Sequence, residues 1–514
     1  MKSAETASLK PVPVKNEKKL PAPAVSAALG MAASYYSYPV LISAQFGKIY
    51  ILALLFILAA IIAFLRVAVN FPGKKNRTIK KVAILAVALA AGFTLGITGR
   101  VNTQGPVRTG AEPESVIAVS GILREDPRSL QGGSGMGILE LAYCTVRGGT
   151  RLSSQGNLTV FFPQESIPRL KEFGRGCEIY ADGRLSEGSR GLMFNATSVH
   201  IVKPAPPLEA FRTGLRVFLL EKFQSRQGRE PPVWGSLASA LLLGVRDDLD
   251  VDLSEAFMNS GCAHILALSG MHLAILSGVL AFLIRRPLGI LVSSLVGAVF
   301  IIAYVFIAGS QPSLVRSAIM YLIGTIALWG LLKRSPLSLL CLAFIIQIIF
   351  QSDTGISLSF ILSYLALLGI LTMGESIRAL CRGRLPEIVS VSLSASIGAF
   401  VVTAPVVCFY FGALRPIGIV AGLLVAPISS VFMVLAMAAL AASFLPVPLW
   451  NVLDFFLILV YRLLEFLVSM AGKVPGFPVS NPVPVLIFTL LFWILVIFLQ
   501  KRDNLHRNSV ASFD

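Results

Sequence analysis

Two hydrophobic patterns divide the chain. Apolar runs near the length needed to cross a bilayer as a helix stand at Ile49–Leu65, Val82–Gly99, Cys262–Ile284, Leu288–Ala308, Ser313–Leu332, Pro336–Phe350, Ser357–Met373, Ile388–Phe411, Ile417–Leu445, Trp450–Ala471 and Val485–Gln500. A further run, Ala24–Phe46, contains Ser, Tyr and Pro39 but no charge. Between residues 100 and 205 the pattern shortens to alternating segments at Ser115–Leu123, Ile138–Val146, Asn157–Phe162, Glu178–Leu185 and Leu192–Val202, separated by Gly, Pro, Asn and Ser. Such segments predict strands. Five of them in about 100 residues suit a small all-β barrel of the OB-like kind, although a small β-sandwich fits the same spacing. Leu208–Phe223 reads as an amphipathic helix lying on the outer leaflet. Trp234–Val245 is too short to cross and predicts an interfacial or re-entrant helix.

Composition agrees with a membrane protein. Of 514 residues, 55% are hydrophobic and only 14% charged, against roughly 25% charged in soluble proteins. Mean hydropathy is +0.77. A soluble multidomain enzyme is thereby excluded. The net charge of +17 is concentrated at the start, where residues 1–81 hold 12 Lys/Arg and 2 Asp/Glu. Basic groups recur at Arg66–Lys81, Arg285–Arg286, Lys333–Arg334, Arg378–Arg384 and Lys501–Arg507, and the loops between them hold few. Short cytoplasmic loops collect Lys and Arg, so this alternation fits twelve crossings with both termini cytoplasmic. Eleven crossings, without Ala24–Phe46, would put the Lys-rich N-terminal tail outside.

The expected organisation is a disordered tail over 1–23, N-terminal spans over 24–99 and an extracytoplasmic barrel over 100–205. An amphipathic helix and linker cover 206–233, a helical membrane domain covers 234–500, and a cytoplasmic tail covers 501–514. Cys144 and Cys177 both fall in the external insert, where a disulfide is permitted and would staple a small core. Cys262, Cys341, Cys381 and Cys408 lie in or beside apolar runs and read as small buried hydrophobes.

The most informative stretch is Ala240–Leu276, ALLLGVRDDLDVDLSEAFMNSGCAHILALSGMHLAIL. Asp252 and Glu255 stand at capping-box spacing, and the following span opens with His264-x4-Ser269-Gly270-x-His272. Downstream come Gly309-Ser-Gln-Pro312-Ser313-Leu-Val-Arg316, Phe360-Ile-Leu-Ser363-Tyr364, Ala404-Pro405 through Phe411-Gly412, and Ala421-Gly-Leu-Leu-Val-Ala-Pro427. In order and content these segments resemble the ComEC-type competence proteins, over about residues 40–500. The resemblance implies an inner-membrane channel that admits single-stranded DNA during natural transformation. It also implies an external DNA receptor and a cytoplasmic helicase-like motor with strand-binding proteins. Many members continue into a metallo-β-lactamase-like nuclease domain. This chain has four histidines and no His-x-His-x-Asp-His cluster, so a separate nuclease is expected. Ile361 and Gly422 replace the polar residues usual at those motif positions.

His264 and His272 are eight residues apart, roughly 12 Å along an unbroken helix. They cannot share a metal ion unless the helix breaks near Ser269–Gly270. No metal site, no cofactor and no phosphate-binding G-x-x-x-x-G-K-[ST] loop is expected. His264, Ser269, Gly270 and His272 are candidates to line or gate the path of the strand, or alternatively to hydrogen-bond neighbouring helices. Arg316, about one turn into its span, is a candidate phosphate contact; its alternative role is snorkelling to headgroups. Arg462, Glu465 and Asp454 read as a structural polar seam. Strand-holding OB-folds pair a basic groove with aromatic surfaces. In the insert Arg147, Arg151, Arg175, Arg184 and Arg190 offer the first, and Phe161, Phe162, Tyr180 and Phe194 the second, unless the rings fill the barrel core. A secondary transporter or lipid-handling protein for anionic substrates is the rival reading, and a membrane enzyme using the two histidines is a third. A homo-oligomer is compatible with any of them.

Overall fold

A computed structural model describes residues 22–43, 75–102, 107, 109–130, 133–188, 191–224, 231–330, 335–381, 383–443 and 448–510. The expected N-terminal tail, the Ile49–Leu65 span, Arg190 and Lys333–Arg334 lie outside these residues. The chain forms two compact units, residues 1–97 and 98–514. In the first, α1 (Ala22–Ser43) packs on α2 (Lys75–Asn102). A Cβ on Gly92 would lie 1.8 Å from the Ala27 carbonyl oxygen, and one on Gly30 would lie 2.1 Å from that of Leu89. Small residues let these two backbones touch, which is how apolar helices associate where water drives nothing.

The second unit begins with a barrel. Its strands are β1 (Val116–Leu123), β2 (Arg128–Ser129), β3 (Gly135–Val146), β4 (Arg151–Ser153), β5 (Asn157–Phe162), β6 (Glu178–Gly188) and β7 (Gly191–Lys203). The sheet order is β1-β6-β7-β5-β3, and β3 pairs back onto β1 to close the ring. Only β5 and β7 run parallel, and the short helix α3 (Ile167–Phe173) lies between β5 and β6 in sequence. Alternate residues, including Val119, Leu139, Val160, Phe162, Ile179 and Phe194, fill the interior. The five segments read from the alternating pattern are all strands.

The expected disulfide does not form. Cys144 and Cys177 are both free and buried, and the Cys144 thiol donates to the Thr109 carbonyl oxygen at 3.2 Å. Register explains the correction. Cys144 pairs with Val119 of β1, whereas Cys177 precedes Glu178, the partner of Ile122. Four residue steps along β1, about 13 Å, separate the two cysteines, and a disulfide spans Cα atoms no more than about 7 Å apart.

Beyond the barrel come α4 (Pro207–Gln224), α5 (Gly235–Leu243), α6 (Val251–Asn259) and the single turn α7 (Ala263–Leu266). The bundle continues with α8 (Gly270–Ala308), α9 (Pro312–Trp329), α10 (Pro336–Phe350), α11 (Leu358–Cys381), α12 (Glu387–Phe411), α13 (Ile417–Ala442), α14 (Pro448–Gly472) and α15 (Val483–Val510). Between α12 and α13, β8 (Ala413–Leu414) pairs with β9 (Phe477–Pro478) from the turn after α14. Among the described residues α8, α9, α11, α12 and α13 are long and apolar enough to cross a membrane. The chain is a polytopic helical membrane protein carrying a β-barrel. Within α8 the helix breaks at Gly289, whose φ of 77° follows Pro287. The sequence reads two spans there, Cys262–Ile284 and Leu288–Ala308, and the break falls at the second residue of the latter.

Three local expectations need correction. The run from Cys262 is not one helix, because Ala267 and Ser269 are extended and α8 starts only at Gly270. The cap of α6 is Asp250, whose carboxylate accepts the Asp252 N–H at 3.0 Å; Asp252 lies inside the first turn. The helix α15 runs on to Val510, through the expected tail. In α14, Arg462 pairs with Glu465 at 2.8 Å, while Asp454 accepts the indole N–H of the fully buried Trp234 at 2.8 Å.

Candidate functional site

The barrel is bound to the bundle through charged side chains. Arg212 of α4 is fully buried and reaches Asp126 at 2.5 Å and Glu209 at 3.0 Å. Arg216, one turn on, also pairs with Asp126. Arg175 holds Glu209 through both ends of its fork, at 2.6 and 3.1 Å. Burial would raise the Asp126 carboxyl, but the Arg216 and Arg212 charges outweigh it and hold the group below the ordinary value. From this network Arg212 reaches the Ile307 carbonyl, Arg175 reaches Ser310, both at 3.5 Å, and Arg216 reaches the Leu243 carbonyl at 3.2 Å. A second tie joins the Ser129 N–H to Asp247 at 3.2 Å and Lys171 to the same carboxylate at 2.6 Å. Arg175, expected among strand-binding groups, is thus occupied in docking the barrel.

The end of α8 and the short turn after it, residues 307–311, meet Arg212 and Arg175 and lead directly into α9, and here the sequence motifs converge. Ser313 donates to the Leu268 carbonyl at 2.6 Å, fastening α9 to the extended break before α8. Gly270 opens α8 against α9: a Cβ there would lie 2.2 Å from the Ser317 oxygen and 3.1 Å from Arg316 Nη2. His272 is fully buried. Its Nδ1 accepts the Ser269 N–H at 3.3 Å, so the ring proton of the neutral imidazole sits on Nε2. That Nε2 finds no partner among the described residues.

Arg316 is 8% exposed, so it does not snorkel. It donates to the Ser363 carbonyl and, at 3.5 Å, to Ser317. Its guanidinium stands 5.7 Å from the centroid of the Tyr364 ring. The Tyr364 hydroxyl donates to Gln347 at 2.9 Å, and Gln347 donates back to the Pro312 carbonyl at 3.1 Å. Arg316 Nε has no partner, and no acidic side chain pairs with this arginine among the described residues. Three motif segments, Ser269–His272, Gln311–Arg316 and Phe360–Tyr364, therefore build one buried polar cluster with a cation and, among the described residues, no counter-ion.

The remaining candidates lie elsewhere. His264 is exposed on α7, beyond the break from His272. The Ala421–Pro427 segment packs its Ala421, Gly422 and Val425 into the bundle. On the barrel, Phe162 and Phe194 are core, while other candidates fall in two bands across the strands, one of them running through the fully buried Ser120. Tyr180 shares one with Ser120 and Tyr143, over which Arg151 stands at 5.1 Å. Arg184 and Phe161 share the other through Asn195. Arg147 is exposed in the turn after β3. No group of three or more His, Cys, Asp or Glu side chains placed to hold a metal ion occurs among the described residues.

A family model described as Competence protein matches residues 241–503, about half of the chain and all three segments of the cluster. The chain belongs to the Competence protein family. It is 27% identical over 288 residues to ComE operon protein 3 of Bacillus subtilis (strain 168), covering 53% of this chain and 35% of that protein. It is 25% identical over 366 residues to an uncharacterised protein of Aquifex aeolicus (strain VF5), covering 68% of this chain and 84% of the relative. The chain thus spans about a third of the length of the Bacillus protein. No solved structure matches.

Proposed function

We propose that this protein is a conduit for single-stranded DNA across the inner membrane, acting in DNA uptake during natural transformation. It transports and does not catalyse. The barrel, read as an OB-like domain on the outer side, receives the strand, and the helices from Trp234 onward carry it. Twelve crossings with both termini cytoplasmic remain the reading of the basic loops. A DNA receptor outside, a helicase-like motor inside and a separate nuclease are the partners this reading requires.

Arg316 carries the argument. A guanidinium stays protonated under all relevant conditions, and a buried cation without an opposing charge is expensive. Among the described residues the cluster offers it carbonyl, hydroxyl and aromatic neighbours only. A passing phosphodiester supplies the missing charge, and it also gives an acceptor to Arg316 Nε and His272 Nε2. The start of α8 adds a partial positive charge from its free N–H groups, and Gly270 lets that helix end come close. One arginine with neutral donors binds weakly enough for the polymer to move on, which conduction requires. Ser269 and His272 act around this point as gating groups, and His264 acts from the other side of the break before α8.

The test is uptake of labelled DNA into a nuclease-resistant state in a strain lacking the gene. Normal uptake in that strain overturns the reading. Loss of uptake with DNA still bound at the cell surface supports it and separates a conduit from a transporter of small anions.

A further inference from the structure

The barrel register places five side chains in one line. Arg184 of β6 pairs with Asn195 of β7, Asn195 with Phe161 of β5, Phe161 with Met136 of β3, and Met136 with Arg128 of β2. All face outward, because their neighbours Leu185, Phe194, Phe162 and Val160 belong to the core. The line crosses four strand spacings, about 19 Å. An arginine stands at each end and an aromatic ring in the middle. Arg184 is exposed and has no acidic partner among the described residues, while Arg128 is exposed beside Glu125 at 2.9 Å.

The line does not stop at the barrel edge. The Ser129 N–H bonds Asp247, which brings the loop carrying Arg246 against Arg128. No acidic side chain pairs with Arg246 among the described residues, and burial together with the Arg128 charge pushes its pKa down. Two residues earlier, Gly244 abuts Leu268 and Gln311, where a Cβ would lie 2.7 and 3.0 Å from them. Leu268 precedes Ser269, and Gln311 caps the helix of Arg316. Packing contacts thus link the loop of Arg246 to residues that flank the buried cluster.

We propose that Arg184, Phe161, Arg128 and Arg246 form a track that passes single-stranded nucleic acid from barrel to bundle. Phosphates sit on the three arginines, and an unstacked base lies on Phe161. Stacking of bases on aromatic rings beside a basic groove is sequence-tolerant, as a conduit for arbitrary sequences needs. The other band, through Tyr143, Ser120 and Tyr180, is less suited, because Ser120 at its centre is fully buried. The proposal rests on the single-strand reading above.

Full-length protein in nanodiscs is titrated into a short labelled oligothymidylate, with anisotropy read over a range of salt. Phe161→Ala is expected to weaken binding about tenfold, and Phe161→Tyr to restore it. Arg184→Gln and Arg246→Gln should each lower the slope of log affinity against log salt by about 0.7, the loss of one phosphate contact on a single strand. A misfolded variant would lose binding without that stepwise change in slope. Wild-type affinity and slope in all these variants overturn the track, as does weakening confined to Arg151→Gln and Tyr180→Ala. Those results leave the conduit reading intact, which falls only if the deletion strain takes up DNA normally.

Discussion

Two buried arginines face opposite circumstances. Arg212, fully buried between barrel and bundle, meets two carboxylates, Asp126 and Glu209, and these are shared with Arg216 and Arg175. Arg316, 8% exposed inside the bundle, meets a carbonyl, a serine hydroxyl and a tyrosine ring. The first charge is compensated within the chain and serves architecture. The second meets no carboxylate among the described residues. Desolvating a charge costs several kcal/mol unless it is paired, and under the conduit reading proposed above the partner of Arg316 is a passing phosphate.

The comparison breaks most visibly at Arg212. Arg212→Ala leaves Asp126 and Glu209 partly uncompensated and opens a cavity, and a loss of about 3–5 kcal/mol is expected. Thermal unfolding in detergent should show it, together with faster proteolysis near Pro207 as the barrel detaches. A melting temperature equal to wild type would mean the network holds nothing.

Asp126 gives a smaller and pH-dependent effect. Burial raises its pKa, the Arg216 and Arg212 charges lower it more, and the folded value lies below the ordinary one of about 3.9. The folded state therefore holds the proton less readily than the unfolded chain. Its contribution is complete above the unfolded value and disappears as pH falls through the folded one. Glu209 is depressed likewise, again against its own burial, by Arg175 and Arg212. Docking should weaken below about pH 4. Asp126→Asn should cost about 1.5–3 kcal/mol at neutral pH, the range for hydrogen bonds to charged groups, and should flatten the acid limb of the stability profile. An unchanged acid limb would assign that limb to other carboxylates.

What the sequence displays and what it hides follow from the range of each interaction. The barrel strands are legible because alternation is local. The cluster is legible as motifs, yet the packing of Gly270 on Ser317 and the bond from Arg316 to the Ser363 carbonyl depend on helices far apart in sequence. The break before Gly270 hides inside an apolar run, although Ser269 as cap with His272 three residues on was its local signature. Arg212 reads as a solvent-facing charge on an amphipathic helix. The signal to the contrary was Glu209, Arg212 and Arg216 stacked on one helical face at spacings of three and four. The disulfide expectation came from compartment alone, which carries no information on distance. Register is likewise invisible: nothing in the order of Arg128, Met136, Phe161, Arg184 and Asn195 shows that pairing, including one parallel pair, will align them.

Arg316 should respond in the opposite sense to Arg212. Replacing an unpaired buried charge with an apolar side chain of similar length removes the desolvation cost and loses the bonds to Ser363 and Ser317 and the cation contact with the Tyr364 ring. Arg316→Met is therefore expected to melt within about 1 kcal/mol of wild type, or slightly higher, since buried ionic groups often give way to hydrophobic ones without loss. DNA uptake should nonetheless fall at least about tenfold, the equivalent of one charged contact of roughly 1.4 kcal/mol or more. Arg316→Lys separates charge from geometry. It keeps the cation but loses the planar fork that spans Ser363 and Ser317, so uptake should lie between wild type and the Met variant. If Arg316→Met instead lowers stability as far as Arg212→Ala while uptake per folded molecule stays normal, both arginines are architectural and the contrast between them is gone.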